Sequence, residues 1–255
     1  MSDTITLSSS SKRIQALALL ATGRTGADIE LLVREVRQKA RRDKRELTWS
    51  DIEQALGADR MVMGDDLRWR VSVHEAGHAM AWTLLRIGEV ASVTLGLEQM
   101  GQVTVDRYRD LPQTEEWLTR TMAAILAGRV AELLVIGEPM VGSGGGEDSD
   151  LAKATAIALD AETRLGMAEH QPLLYRPSNR GFDILSLDRD LAERVNKRLL
   201  AAETIAHNLL EEQGGELMRL ASHLSQSGVM SGNEVREMLG IAPDYLEKED
   251  GETRL

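Results

Sequence analysis

From Lys12 onward, apolar positions recur at helical spacing. Ile14, Leu17, Ala18 and Ala21 share one side before Thr22-Gly23 interrupts the repeat. Ile29, Leu32, Val33, Val36 and Ala40 form the next stripe, with Arg and Lys on the opposite face and a capping-box pair, Thr25 and Asp28, at its start. Ser50 and Glu53 repeat that spacing beside Ile52, Ala55 and Leu56. These segments predict a helical subdomain over 13–62, small enough to be marginal alone, after a loose tail over 1–12 that holds Ser8 to Ser11.

A longer helix is predicted from Asp65 or Asp66 to about Leu85, with Gly88 as its stop. The pattern then changes to alternation. Val90 to Leu97 and Met100 to Val105 read as two short strands joined by a turn near Glu98. Helical spacing returns from about Thr114 to Glu132, where Ala123, Ala124, Ala127, Gly128 and Ala131 predict very close packing. An Ala-rich helix opens at Asp150, after Gly142-Ser-Gly-Gly-Gly-Glu-Asp-Ser, and ends near Gly166. A long helix from about Asp188 to Gln213 carries Leu191, Val195, Leu199 and Ala202, and Ser231 with Glu234 caps a last short one. Residues 242–255, with the acidic run from Glu247 to Glu252, read as a solvated tail. The expected fold is mainly α with one small β-hairpin, its main body spanning 63–241.

Length and composition narrow the function. The chain has 255 residues, enough for a sizeable core, but only Trp 4, Tyr 3 and Phe 1, so aliphatic residues must fill it. The absence of cysteine excludes disulfides and thiolate metal sites, leaving His, Asp or Glu to hold any metal, and it fits a reducing compartment. The net charge of −11 argues against nucleic acid or an anionic lipid surface as the main partner. It is uneven: residues 1–70 hold 13 Lys and Arg against 11 Asp and Glu, so the net negative charge lies wholly beyond them. No apolar run approaches the ~20 residues of a membrane span. No phosphate-binding G-x-x-x-x-G-K-[ST] loop is present, so ATP binding by these residues alone is not expected.

The chemistry concentrates in the predicted helix over 65–85. His74 and His78 in His74-Glu-Ala-Gly-His78 lie one helical turn apart, so both imidazoles can grip a single Zn²⁺. Glu75, beside the first of them, is placed to take a proton from an attacking water, whose pKa zinc lowers to about 7. Two of only five histidines fall in this motif. A catalytic zinc needs a third protein ligand. Leu84 stands where an extended H-E-x-x-H-x-x-G-x-x-H motif would have its third His. Glu98 has a suitable offset but a turn context. Glu132 suits a supporting contact to a ligand. Asp150 lies at a helix N-terminus that favours an ionised carboxylate, a position a simple capping residue would share. Spacing alone leaves the choice open.

The order of features resembles the FtsH family of ATP-dependent zinc proteases: His74-Glu-Ala-Gly-His78-Ala, the strand pair from Val90 to Val105, Ala127-Gly-Arg-Val-Ala-Glu132 and Ser149-Asp150-Leu-x-x-Ala-Thr155. Thr25-Gly-Ala-Asp-Ile29-x-x-Leu-Val33 resembles the helical lid of that family's ATPase module. The resemblance implies one zinc held by His74, His78 and Asp150, with Glu75 as catalytic base. It implies peptide-bond hydrolysis in unfolded or motor-delivered polypeptides, a ring of six copies, ATP acting only through an ATPase core, and a membrane-anchored protein with its protease part on the cytoplasmic side. Leu133 stands where the family usually has a second Glu, and Ser143-Gly-Gly-Gly-Glu replaces its usual approach to the Asp. No nucleotide-binding strands or anchor precede the lid-like part, so a piece of a longer protein, or a protease part without its motor, is expected, cytoplasmic and without membrane contact of its own. An exposed strand edge beside the zinc helix would bind extended polypeptide through its main chain, with shallow apolar pockets near Val93, Leu95 and Val103. The alternatives are a non-catalytic ring-forming module on the same fold and a hydrolase that uses Glu98 as ligand.

Overall fold

The computed structural model describes residues 14, 17–21, 24–58, 61–96, 100–176 and 183–241. The expected tails over 1–12 and 242–255 lie outside them, as does Glu98. In chain order the elements are α1 (Gly26–Arg42), α2 (Trp49–Leu56), α3 (Asp65–Leu84), β1 (Gly88–Leu95), β2 (Gly101–Arg107), α4 (Glu115–Val135), α5 (Asp150–Thr163), α6 (Asp183–Leu187), α7 (Arg189–Glu212), α8 (Gly214–Ser227), β3 (Val229–Ser231) and α9 (Gly232–Met238). The fold is mainly α.

Local chemistry sets most of these boundaries. Thr25 and Asp28 form the capping box of α1. That of α2 is Thr48 and Asp51, two residues ahead of the expected Ser50 and Glu53, which lie inside the helix. The earlier pair prevails because Asp51 serves twice: it accepts from the Thr48 amide at 2.8 Å and from both arms of the Arg45 guanidinium at 2.7 Å. Thr114 caps α4, Ser149 caps α5, and Ser231 with Glu234 boxes α9. Gly228 ends α8 with a left-handed φ of 71°, a conformation glycine adopts without steric cost.

Helix α4 lies at the centre, against α3, α5 and α7, while α3 also packs on α8 and β1. Both α3 and α4 are therefore buried around most of their circumference, unlike the one-sided stripe of α1. Met80, Met122, Leu210, Leu217 and Leu224 are fully enclosed, each contributing roughly 1.5–3 kcal/mol by burial. The axes of α3 and α4 approach closely at Gly77. A Cβ there would come within 2.6 Å of both the Ala127 carbonyl oxygen and the Ala131 methyl.

The sheet has three antiparallel strands in the order β2-β1-β3, with Val93 of β1 opposite Val103 of β2 on one side and Met230 of β3 on the other. The expected hairpin thus gains a third strand, too short to show in a hydrophobic pattern. Among the described residues β2 pairs only with β1, so its outer edge is free. The N-terminal helices have a separate small core, Leu20, Leu32 and Leu56, which closes onto Val229 of β3. A backbone bond from Met61 to the Gly96 carbonyl at 2.9 Å adds a second tie to the main body.

Candidate active site

Helix α3 lays Val71, His74, Glu75, His78 and Trp82 along one wall of a cleft; β2 supplies Gly101, Val103, Val105 and Arg107 to another, and the Gly-rich segment before α5 supplies a third. His74 and His78 project together because four residues make about one turn. The start of α5 brings Asp150 to them. Its Oδ2 lies 3.2 Å from His74 Nε2 and 3.1 Å from His78 Nε2, and the two Nε2 atoms are 3.0 Å apart.

The other ring nitrogens decide what this triangle is. His78 Nδ1 lies 2.9 Å from the Ala124 carbonyl oxygen, which can only accept, so Nδ1 carries the proton. His74 Nδ1 lies 2.5 Å from Glu132 Oε1 and donates to it in the same way. With the outer nitrogens donating, both Nε2 atoms and a carboxylate oxygen turn toward one another, three potential metal ligands around one point. The arrangement calls for positive charge at its focus, a proton held on His74 or a metal ion. A tetrahedral zinc at roughly 2.0–2.2 Å from each donor would separate them by about 3.3 Å, so the spacing and the mixed N and O donor set both fit. Among the described residues, this is the group of side chains able to hold a metal.

Electrostatics reinforce that reading. Burial by itself would lower the His74 pKa, but the hydrogen bonds to Asp150 and Glu132 and the nearby Glu75 charge outweigh it and push the ring up to about 10. Burial would raise the Asp150 pKa, yet its contacts with both imidazoles hold the carboxyl well below the usual carboxylate range. The site therefore favours a positive charge at its centre. Glu75 differs. Only 6% exposed, it is pushed up by burial, and the two histidines offset this only in part, which is the direction a proton carrier needs.

Glu132 is fully buried and uses both oxygens, Oε1 on His74 and Oε2 on the Met140 amide. It thereby orients one imidazole and pins the loop that leads to α5. Two glycines give the site its room. A Cβ at Gly128 would lie 2.6 Å from His74 Nε2 and collide with His78 Nε2, and one at Gly101 would meet Glu75 Cγ at 2.6 Å. Gly128 was legible only as part of a small-residue stripe, whereas the roles of Gly101, the Ala124 carbonyl and the Met140 amide had no sequence signal. Of the three residues expected to shape substrate pockets, Val103 lines the cleft. Val93 and Leu95 do not: each is 1% exposed, because β1 is the central strand and its apolar side chains enter the core.

A helical fold carrying H-E-x-x-H on a buried helix, with a distant aspartate completing a donor triangle beside a buried glutamate, defines a metal-dependent hydrolase. Residues 61–238 match the family model described as peptidase family M41. The chain is 32% identical over 250 residues to ATP-dependent zinc metalloprotease FtsH 1 of Symbiobacterium thermophilum, an alignment covering 89% of this chain and 39% of that protein. It is 29% identical over 274 residues to the FtsH of Syntrophobacter fumaroxidans, covering 93% of this chain and 41% of the relative. To FtsH 1 of Sorangium cellulosum it is 30% identical over 244 residues, covering 86% and 39%. The chain belongs to peptidase family M41. It spans about two fifths of the length of these relatives. None of its described helices is long and apolar enough to cross a membrane.

Proposed function

We propose that this chain is the proteolytic part of an FtsH-like ATP-dependent protease, an endopeptidase that hydrolyses peptide bonds of unfolded or motor-delivered polypeptides. The observation that carries the proposal is the convergence of two imidazole nitrogens and a carboxylate oxygen within 3.0–3.2 Å beside a buried glutamate. His74, His78 and Asp150 hold one zinc, and Glu132 fixes the His74 ring. When bound, zinc polarises the scissile carbonyl and acidifies a water. Glu75 takes the proton from that attacking water and returns it to the leaving nitrogen, a role its burial and raised pKa support. The free edge of β2 pairs with extended main chain, so sequence selectivity is weak and folded substrates resist unless unfolded first.

In this reading α1 and α2 are the lid-like helices of an ATPase module, forming a unit over 13–62 ahead of a peptidase unit over 63–241. ATP acts through a nucleotide-binding core carried elsewhere in the complete protease. The working assembly is a ring of six with its protease face in the cytoplasm. The ATP dependence follows the relatives' names, and the lid, the ring of six and the cytoplasmic face follow the resemblance in motif order.

The test is hydrolysis of an unfolded casein-type substrate by purified, zinc-loaded chain. Cleavage should disappear with a chelator and fall by about 10²- to 10⁴-fold in Glu75→Gln while zinc content stays the same. Undiminished cleavage by pure Glu75→Gln overturns the mechanism. A zinc-loaded wild type that cleaves nothing points instead to the ring-forming module. Zinc analysis of Glu98→Ala and Asp150→Ala decides between the two carboxylates, with loss expected only for Asp150→Ala.

A further inference from the structure

Among the described residues, one cation of the cleft has no ion-pair partner. Arg107, the last residue of β2, lines the same cleft as the donor triangle, and its Cζ lies 5.6 Å from the centroid of the Trp82 ring. A cation–π contact of this kind steers a guanidinium toward the ring while leaving its N–H edges free to meet a planar acceptor. Among the described residues no carboxylate lies within ion-pair distance of it. Arg107 itself is exposed, and several half-buried arginines behave differently: Arg70 meets Asp66 and Glu138, Arg194 and Arg198 meet Glu162, and Arg236 meets Glu89. In a protein of net charge −11, an arginine placed on an aromatic ring and left unpaired is poised for an external anion.

Its position identifies that anion. Side chains two apart along a strand share a face, so Gly101, Val103, Val105 and Arg107 lie on one side of β2. Gly101 abuts Glu75. Trp82, which carries the guanidinium, is seven residues beyond Glu75 on α3, about 10 Å along the helix axis. An extended peptide spans that distance in about three residues.

We propose that Arg107, laid over Trp82, forms a carboxylate-binding subsite that selects polypeptide with an acidic group about three residues from the scissile bond. The inference rests on the proposed use of the β2 edge as the substrate strand. It adds one electrostatic preference to an otherwise sequence-tolerant cleft lined by Val103 and Val105. The carboxylate can belong to an acidic side chain or to the chain terminus of a nearly finished substrate.

The experiment measures binding, so it does not depend on turnover. Zinc-loaded Glu75→Gln protein is titrated into labelled, unstructured peptides, read by fluorescence anisotropy, with Glu compared against Gln at each position two to four residues from the central bond on either side. A second arm compares a free C-terminal carboxylate with its amide at the same distance. At one position the acid should bind roughly threefold to tenfold more tightly than its neutral partner, less so at about 0.5 M salt. Arg107→Gln in the same background should bring the ratio to one, and Arg107→Glu should reverse it. Equal affinities with Arg107 present, a preference that survives Arg107→Gln, or no binding of any peptide overturns the subsite. Casein hydrolysis by the wild-type chain separates the two readings: cleavage with equal affinities removes the subsite alone, and acid preference without cleavage removes the hydrolytic function alone.

Discussion

The α1–α2 pair and the α3–α4–α5 centre are both helical, yet they are held together by different physics. The first is a small apolar seam bordered by charge: Leu32 and Leu56 inside, capping boxes at both helix starts, and exposed pairs such as Arg34 with Glu30 outside. Its caps and ion pairs are local in sequence and modest in energy. At the centre the helices approach through Gly77, Ala127 and Ala131, and the polar groups they bury are satisfied by partners 46 to 76 residues away. Helix formation therefore needs only neighbours, whereas a reactive site needs distant segments brought together within tenths of an ångström.

This contrast predicts a hierarchy of effects. Asp150→Ala removes the one donor not carried by α3 and should abolish stoichiometric zinc binding, measured by metal analysis after dialysis, with the fold retained by circular dichroism. Retained zinc would mean that the donor triangle is not the metal site. Glu132→Gln keeps the shape but weakens the hold on His74 Nδ1, and should lower zinc affinity about 10- to 100-fold in a competitive chelator titration. Gly77→Ala places a methyl against the Ala127 carbonyl and should destabilise the chain by about 1–3 kcal/mol in urea unfolding. An unchanged midpoint would show that the two helices separate at little cost. Thr48→Ala removes the α2 cap and should cost about 1 kcal/mol, seen as faster amide exchange confined to α2.

Acid should act on the same N-terminal region. The Asp51 carboxyl is held well below the usual carboxylate range, first by the Arg45 guanidinium and then by Thr48. A folded-state pKa below the unfolded value of about 3.9 gives a contribution that is complete above that pH and fades as the pH falls below it. Amide protection in α2 should decline on acidification, and decline less in Asp51→Asn, which starts without the ionised group.

What could be read from the chain follows the same division. The stripe of α1 and the capping boxes at Thr25 and Ser231 are legible because each motif lies within one helical turn, whereas Ser149, not the acidic residue after it, caps α5. The cap of α2 lies two residues ahead of the expected one, since Thr48-x-x-Asp51 and Ser50-x-x-Glu53 offer the same pattern and only Arg45, folded back onto Asp51, separates them. The start of α8 was hidden by Gly214-Gly215, and β3 is three residues long. At the site, His74, Glu75 and His78 announced themselves by spacing on one helix. Asp150 did not: seventy-two residues separate it from His78, and only the resemblance to a known motif order selected it over Glu98 and Glu132. The Ala124 carbonyl and the Met140 amide are backbone groups, which any residue type supplies, so no pattern of side chains could disclose them.

Glu132 holds His74 with one oxygen and the Met140 amide with the other, while Ser149 fastens the entrance to α5. The stretch from 141 to 148 is thus a bridge anchored at both banks, with buried Ser143 as a pier between them and Val141 turned outward. An engineer wishing to install a new recognition element beside the cleft should find this span the most forgiving place to graft one, provided both moorings are left in place.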